Sequence, residues 1–512
     1  MILSKSTLSQ VKPSAGLVIP AGNTLSLPEK VLQFGTGVLL RGLPDFIINS
    51  ANNRGQFNGR IVVVKSTATG GTDAFAEQDG LYTVCIRSVE EGKKTEENHI
   101  ITSISRVLTA ATEWEEILQC AANEQMEIII SNTTELGITL TKDNVHATPP
   151  QSFPGKLLAF LYQRFKLFNG DPEKGMIIVP TELIPSNADK LLSIVLELAH
   201  QNGLEVAFID WLENANHFCN SLVDRIVPGK FSPEAQAVVE SEVGYKDDLM
   251  IMSESYALWA IQSSSEKVLK TLNFAGEKDG VVVAPDINKF RELKLRLLNG
   301  SHTFSCGLAA LCGFVTVKEA MADEGFASFI TAVMYDEIVP SISGDAISTE
   351  DARMFAGRVL DRYRNPFIEH AWSAICTQYS SKMKMRNVAL IEAYAKRFGH
   401  AAPLMSLGMA AHILYMRGTK NDDGKYYGSA SGKEYLITDE NVAWYSEKWQ
   451  RQGAANVVDG ILLNSEIWQT DLSAVPGFAE GVTHWLGLLQ REGARKVLAD
   501  VNNKKTILVN EK

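Results

Sequence analysis

The stretch Val31-Leu-Gln-Phe-Gly35-Thr-Gly37-Val-Leu-Leu-Arg41-Gly42 decides the reading of the fold. A short, mostly apolar run, Val31–Phe34, stops at two glycines and resumes as a second apolar run, the pattern of a strand turning into a helix. A dinucleotide site needs glycine at such a turn. One glycine allows the tight bend, another lets the backbone approach the pyrophosphate, and the helix that follows offers its N–H groups and positive dipole end to the phosphates. Gly35, Gly37 and Arg41 are the candidate cofactor contacts. The usual third glycine would fall at Leu40, and Arg41-Gly42 follows instead. A strand-to-helix turn that needs glycine only for its own geometry reads the same way, so both readings stay open at this motif.

Outward from the turn, Ile61–Val64, Ile128–Ile130, Ile177–Val179, Val206–Ile209 and Val281–Val283 are short apolar runs bounded by polar or turn residues. Trp114–Ala122 and Ala188–His200 have the spacing of amphipathic helices between them. Strands alternating with helices predict a doubly wound, mainly parallel α/β sheet of Rossmann type, covered on both faces. Past Pro285 the helical period dominates, in Lys289–Leu298, Glu319–Val339, Ala352–Arg362 and Glu434–Gly453. The expected organisation is a dinucleotide-binding domain over 1–285 and a mostly α-helical substrate domain over 286–512. Gly418–Lys433, polar and glycine-rich, reads as an exposed loop.

The 512 residues carry a formal net charge of −11, with 45% apolar and 21% charged side chains. This is the composition of a globular protein of two to four domains. The acidic balance argues against nucleic acid or an anionic membrane as the main partner. A small anionic substrate is still allowed. The N-terminus has polar residues and proline where a signal peptide needs an apolar core. The longest nearly pure apolar run, Cys306–Val315, is half the ~20 residues of a membrane helix. Cysteines 85, 120, 219, 306, 312 and 376 have neither zinc-ligand spacing nor a disulfide framework. We expect buried, reduced thiols, no metal site and a cytoplasmic location. The oligomeric state is not readable.

The second strand of a dinucleotide fold normally ends in an acidic residue that holds the ribose 2′-hydroxyl. Here it ends Lys65-Ser66-Thr67. By charge this tolerates a 2′-phosphate, so NAD and NADP both remain open on the residues alone. In the second half, Lys294-Leu-Arg-Leu-Leu-Asn299-Gly-Ser-His302 is the densest polar group. Hydride transfer on a secondary alcohol needs a base for the hydroxyl proton and donors for the developing alkoxide. A lysine whose pKa is lowered by burial can be that base, with Asn and His as donors. On an α-helix at about 100° per residue, Asn299 lies about 140° from Lys294 and His302 about 80°. Convergence on one cleft is geometrically possible. The alternative is a solvated Lys294 and a His302 that continues the core face of Leu295 and Leu298.

Together these residues resemble the polyol-specific long-chain dehydrogenase/reductases, the mannitol dehydrogenase family, whose signature is similar to K-x4-N-x2-H. Further matches stand in family order: the G-x-G-x3-R-G turn, Gln78-Asp-Gly-Leu-Tyr82, Ser131-Asn-Thr-Thr-Glu135-Leu-Gly137 and Thr181-Glu-Leu-Ile-Pro-Ser-Asn187. Val223-Asp224-Arg225-Ile226 and Arg362-Tyr-Arg-Asn365-Pro366 follow. Gln33, where mannitol and fructuronate enzymes have His, and Leu39-Leu40, where they have Phe-His, favour the tagaturonate-reducing branch. The resemblance implies metal-independent, NAD-dependent interconversion of D-altronate and D-tagaturonate. Lys294 would be general acid/base and Asn299 with Asn187 the oxyanion hole, while His302 would position substrate or tune the lysine. It also implies cofactor contacts at Ser131, Asn132 and Asp224. Ala188 stands where the family has Gly after Asn187. A hexuronate carboxylate needs a cation, and Arg362 and Lys382, the latter in Lys382-Met-Lys384-Met-Arg386, are the candidates.

Overall fold

The computed structural model describes residues 1–66, 71–133, 137–276, 279–430 and 432–501, with the backbone alone at 454 and 455. Thr67, and residues 134–136 of the Ser131–Gly137 motif, lie outside the described residues. The chain divides into two units, residues 1–88 with 93–287 and residues 89–92 with 288–512.

The first unit is built on a six-stranded sheet of β1 (Glu29–Phe34), β2 (Arg60–Lys65), β3 (Ile104–Thr109), β4 (Ile128–Ser131), β5 (Ile177–Pro180) and β6 (His217–Phe218). The strands are all parallel, in the order β3-β2-β1-β4-β5-β6. This is the doubly wound dinucleotide-binding order, which reverses direction between β1 and β4. Period-2 alternation sends Leu32, Phe34, Val62 and Val64 to one face, against Trp114, Leu157 and Phe160. Val31, Ile61, Val63, Ile128 and Ile130 go to the other, against Leu40, Ile47 and Ile48. Burial on both faces is why these strands are nearly unbroken apolar runs. The helices that matter here are α1 (Val38–Gly42), α2 (Pro44–Asn53), α3 (Phe153–Leu167), α4 (Asn187–Gln201) and α5 (Val206–Asn214).

Two strand assignments need correcting. Val206–Ile209 opens helix α5: Phe208, Trp211 and Leu212 are buried at helical spacing, while Val206 is 82% exposed. Val281–Val283 is a strand, β9 (Val281–Ala284), but in a separate sheet with β7 (Ser221–Asp224) and β8 (Leu258–Gln262), in the order β7-β8-β9. The long strands Tyr82–Glu90 and Lys93–Ile101 belong to a further four-stranded sheet. The polar start of the second strand, exposed over most of Lys93–Glu97, hides it from an apolar-run search.

The second unit is helical. Helix α6 (Asn288–Leu293) runs into a π-helical segment, Lys294–Gly300, and then into α7 (Ser301–Leu311). Around it lie α8 (Thr349–Tyr363), α9 (Tyr379–Phe398), α10 (Pro403–Tyr415) and α11 (Val442–Leu462). Helices α7 and α10 approach through reciprocal glycines. A Cβ on Gly408 would come 2.8 Å from the Phe304 carbonyl oxygen, and one on Gly307 would come 3.1 Å from that of Ala411. The expected loop Gly418–Lys433 holds β10 (Thr419–Lys420) and β11 (Tyr426–Ala430). These pair antiparallel and continue to β12 (Lys433–Ile437). The expected helix Glu434–Gly453 therefore begins as a strand. Tyr435 is held in that strand by stacking on Tyr415 at 4.5 Å and by donating its hydroxyl to the Tyr415 carbonyl at 2.9 Å. Among the described residues, no helix is long and apolar enough to cross a membrane.

Candidate active site: a dinucleotide cavity and a π-helical catalytic segment

In the first unit, a cavity of about 520 Å³ opens at the carboxyl ends of the strands, where the sheet order reverses. Gly35, Thr36 and Gly37 line it from the β1–α1 turn, Lys65 and Ser66 from the end of β2, and Asn132 and Thr133 from beyond β4. The volume lies within the usual range for small-molecule sites. The two glycines do different things. Gly35 has φ +127°, and a Cβ there would come 2.8 Å from Leu40 and 3.0 Å from the Asn132 carbonyl oxygen. Gly37 is the N-cap of α1, and a Cβ on it would meet no atom within 4 Å. Glycine at 37 thus keeps the backbone bare toward the cavity, the cradle a pyrophosphate needs, and the residues present fit a dinucleotide. Gly42 does the close packing expected of a third glycine: its Cβ would meet Val227 at 2.9 Å.

Arg41, Ser131 and Asp224 are not placed in that cavity's lining. Arg41 is buried, lies over the Tyr82 ring and donates to the Leu249 carbonyl at 2.6 Å, so it ties the turn to the rest of the unit. The Ser131 hydroxyl donates to Glu182 at 3.1 Å. Burial raises the Glu182 carboxyl's pKa, against hydrogen bonds from Thr133 and Ser131 that lower it. Asp224 ends β7, buried. Its neighbour Arg225 donates to the carbonyls of Glu254 (2.9 Å) and Gly42 (2.6 Å), and burial brings its pKa down to about 10. Asn187 is fully buried. Its amide nitrogen faces the carbonyls of Pro180 (2.9 Å), Glu182 (3.1 Å) and Ser221 (3.1 Å), and its oxygen accepts from the Ser221 N–H. With both amide hydrogens committed, Asn187 fastens the start of α4 to the ends of β5 and β7. It has no donor left for an oxyanion.

In the second unit, Lys294 and Asn299 fall on the π segment and His302 on the first turn of α7. An i→i+5 helix has roughly 4.4 residues per turn, which brings Asn299 to about 50° from Lys294 and places all three side chains within about 80°. Straight α geometry would spread them over about 140°. Neighbouring side chains satisfy carbonyls that the wide turn loosens. Ser301 Oγ donates to the Leu297 carbonyl at 2.6 Å and the Tyr363 hydroxyl to that of Leu298 at 2.7 Å. Asn387 on α9 donates to the Gly300 carbonyl at 3.2 Å. No described residue engages the half-buried side-chain amide of Asn299.

His302 stacks on Tyr363 with ring centroids 4.0 Å apart and meets His370 edge-on at 5.2 Å. Burial lowers its pKa well below the ordinary imidazole value, and His370, Arg386, Arg362 and Lys382 push it the same way. The ring is therefore neutral, and its buried Nε2 has no hydrogen-bond partner among the described residues. Arg362 is buried at the end of α8. Lys382, in the first turn of α9, donates to the Ile375 carbonyl at 2.9 Å, and burial followed by Arg386 lowers its pKa. Arg386 stands one turn further on and donates to Thr303 Oγ1 at 3.1 Å. Arg386 and His370 thus join the sequence candidates Lys382 and Arg362 around His302. The i,i+4 spacing of Lys382 and Arg386 was the available signal that both face the same way. No three metal-ligating side chains come together among the described residues.

Two family models cover most of the chain: the mannitol dehydrogenase Rossmann domain over residues 29–273 and the mannitol dehydrogenase C-terminal domain over 286–490. The chain belongs to the mannitol dehydrogenase family. Among curated family members, the altronate oxidoreductase of Halalkalibacterium halodurans is 35% identical over 487 residues, 93% of this chain and 94% of that one. The altronate oxidoreductase of Bacillus subtilis is also 35% identical, over 92% of this chain and 95% of its own. Among solved family structures, the Pseudomonas fluorescens mannitol 2-dehydrogenase ternary complex with NAD and D-mannitol is similar at TM-score 0.68 and 23% identity. That match covers 98% of this chain and 100% of the other. A substrate-free D-sorbitol dehydrogenase is similar at TM-score 0.76 and 18% identity, over 96% of this chain and 99% of the other.

Proposed function

We propose that the protein is an NAD-dependent oxidoreductase that interconverts D-altronate and D-tagaturonate. The observation that carries the chemistry is the π segment, which sets Lys294, Asn299 and a neutral His302 on one side of a helix, with Arg362, Lys382 and Arg386 acting on the same histidine. When bound, the nicotinamide supplies or accepts the hydride. Lys294 takes the hydroxyl proton in the oxidation direction and returns it in reduction. Asn299 donates its amide to the oxygen that carries developing negative charge. His302, kept uncharged, offers Nε2 to a substrate hydroxyl. The buried Arg362 and the partly buried Lys382 and Arg386 suit a substrate with a carboxylate, and the 35% identity to altronate oxidoreductases supports the choice among hexuronates.

The test is NADH consumption with tagaturonate, fructuronate and fructose. Tagaturonate turns over with the highest kcat/KM. A higher value for fructuronate would reassign the substrate within the family, and a higher value for fructose would remove the carboxylate from the argument. A charge-assisted contact to an ion is worth roughly 1.5–3 kcal/mol. Arg362→Ala or Lys382→Ala therefore lowers kcat/KM for tagaturonate by about ten- to 150-fold, with a much smaller loss on any uncharged ketose turned over. Equal losses on both would give the residue to the fold.

A further inference from the structure

The end of β2 bears on which dinucleotide the protein binds, a question separate from the sugar acid it acts on. In this strand order the adenosine ribose lies beside the carboxyl end of the strand that follows β1. An acidic residue there bonds the 2′-hydroxyl of NAD and repels the 2′-phosphate of NADP. The chain has no acidic residue from Lys65 to Thr72, where it reads Lys-Ser-Thr-Ala-Thr-Gly-Gly-Thr. Lys65 and Ser66 line the cavity next to Gly35 and Gly37, and Lys156 lines it from α3. No Asp or Glu is among the described lining residues. The Ser66 hydroxyl is buried without a hydrogen-bond partner among the described residues. Lys156 Nζ donates to the Gln151 carbonyl at 2.7 Å, so it serves the loop and adds positive charge to the wall. Among the described lining residues the cavity therefore combines a bare glycine cradle, two lysines and the Ser66 hydroxyl, with no carboxylate.

We propose that this cavity binds NADP(H) as well as NAD(H), with Lys65 and Ser66 facing the 2′-phosphate. A phosphate against a fixed ammonium gains a charge-assisted hydrogen bond that a ribose hydroxyl does not. Lys65 is thus the residue that sets dinucleotide preference. This rests on the dinucleotide reading of the cavity and not on the identity of the sugar acid.

The test is direct titration of the full-length protein with NADH and with NADPH, followed by nicotinamide fluorescence without any sugar acid. The wild-type Kd for NADPH falls within about tenfold of that for NADH. Lys65→Ala weakens NADPH by roughly tenfold or more while NADH changes less than about threefold. Ser66→Asp, which places a carboxylate beside the ribose, produces the same selective loss and covers the case in which Lys65→Ala does not fold. Wild-type binding of NADPH more than tenfold weaker than NADH overturns the proposal, as does a variant that loses both dinucleotides equally. Failure of both to bind the wild type would instead remove the cofactor cavity itself.

Discussion

The roles proposed for Lys294, Asn299 and His302 can each be tested by one substitution. Lys294→Ala abolishes turnover in the assay with NADH and tagaturonate, because proton transfer by a placed group is commonly worth about 10²–10⁴-fold. NADH affinity stays within a few-fold. Asn299→Ala lowers kcat by about 10²-fold, the usual cost of one oxyanion donor; a change confined to KM would take that role away from it. A second buried histidine gives a stability test. His412 is fully buried on α10, hydrogen-bonded to the Tyr445 hydroxyl at 2.9 Å, and burial brings its pKa down to about 3. Its folded value lies below its unfolded value near 6.5. Its stabilisation is therefore present above about pH 6.5 and is lost as pH falls toward 3, where the unfolded chain takes up a proton that the folded chain refuses. The Tm difference between pH 7 and pH 5 is smaller in His412→Gln than in wild type. An unchanged difference would show that this histidine does not titrate on unfolding.

At the scale of elements, the spacing K-x4-N belongs to a π turn. On an unbroken α-helix the same pair would face together at K-x3-N. The sequence contains the three side chains but not the helix type, which depends on Ser301 and Tyr363 reaching the Leu297 and Leu298 carbonyls. Tyr363 is more than sixty residues away in sequence, so the π turn was not legible. The apolar strands of the central sheet were legible, because burial on both faces leaves continuous runs such as Ile128–Ile130. Val206–Ile209 failed by the same criterion: its β-branched start resembles a strand, and only the spacing of Phe208, Trp211 and Leu212 reveals the helix. Asn187 matched a motif in type, but its backbone partners come from β5 and β7 and were invisible in one dimension. The α7–α10 crossing yields a further prediction. Gly408→Val forces a branched side chain where even a Cβ would come 2.8 Å from the Phe304 carbonyl oxygen. Overpacking of this kind costs about 1–3 kcal/mol or more, read as a lower denaturation midpoint. Because α7 follows directly from the π segment, activity falls as well. Wild-type stability in Gly408→Val would mean that the two helices can separate without cost.

The whole molecule carries a net charge of −11, yet the groups acting on His302 are all cationic or basic. A hexuronate is an anion, so under the proposed function the net charge opposes at long range the ligand that the cations around His302 would hold at short range. Ionic strength separates these effects by distance. Added salt first screens the long-range repulsion, with a Debye length of about 10 Å at 0.1 M. Encounter with the substrate accelerates, while the desolvated contacts are little weakened. At higher concentration, small anions compete for the arginines and the lysine. The kcat/KM for tagaturonate therefore passes through a maximum as sodium chloride is raised from a few millimolar, and an uncharged ketose shows none. A fall from the lowest salt onward would mean that the field of the cation cluster outweighs the net negative charge and draws substrate in from solution.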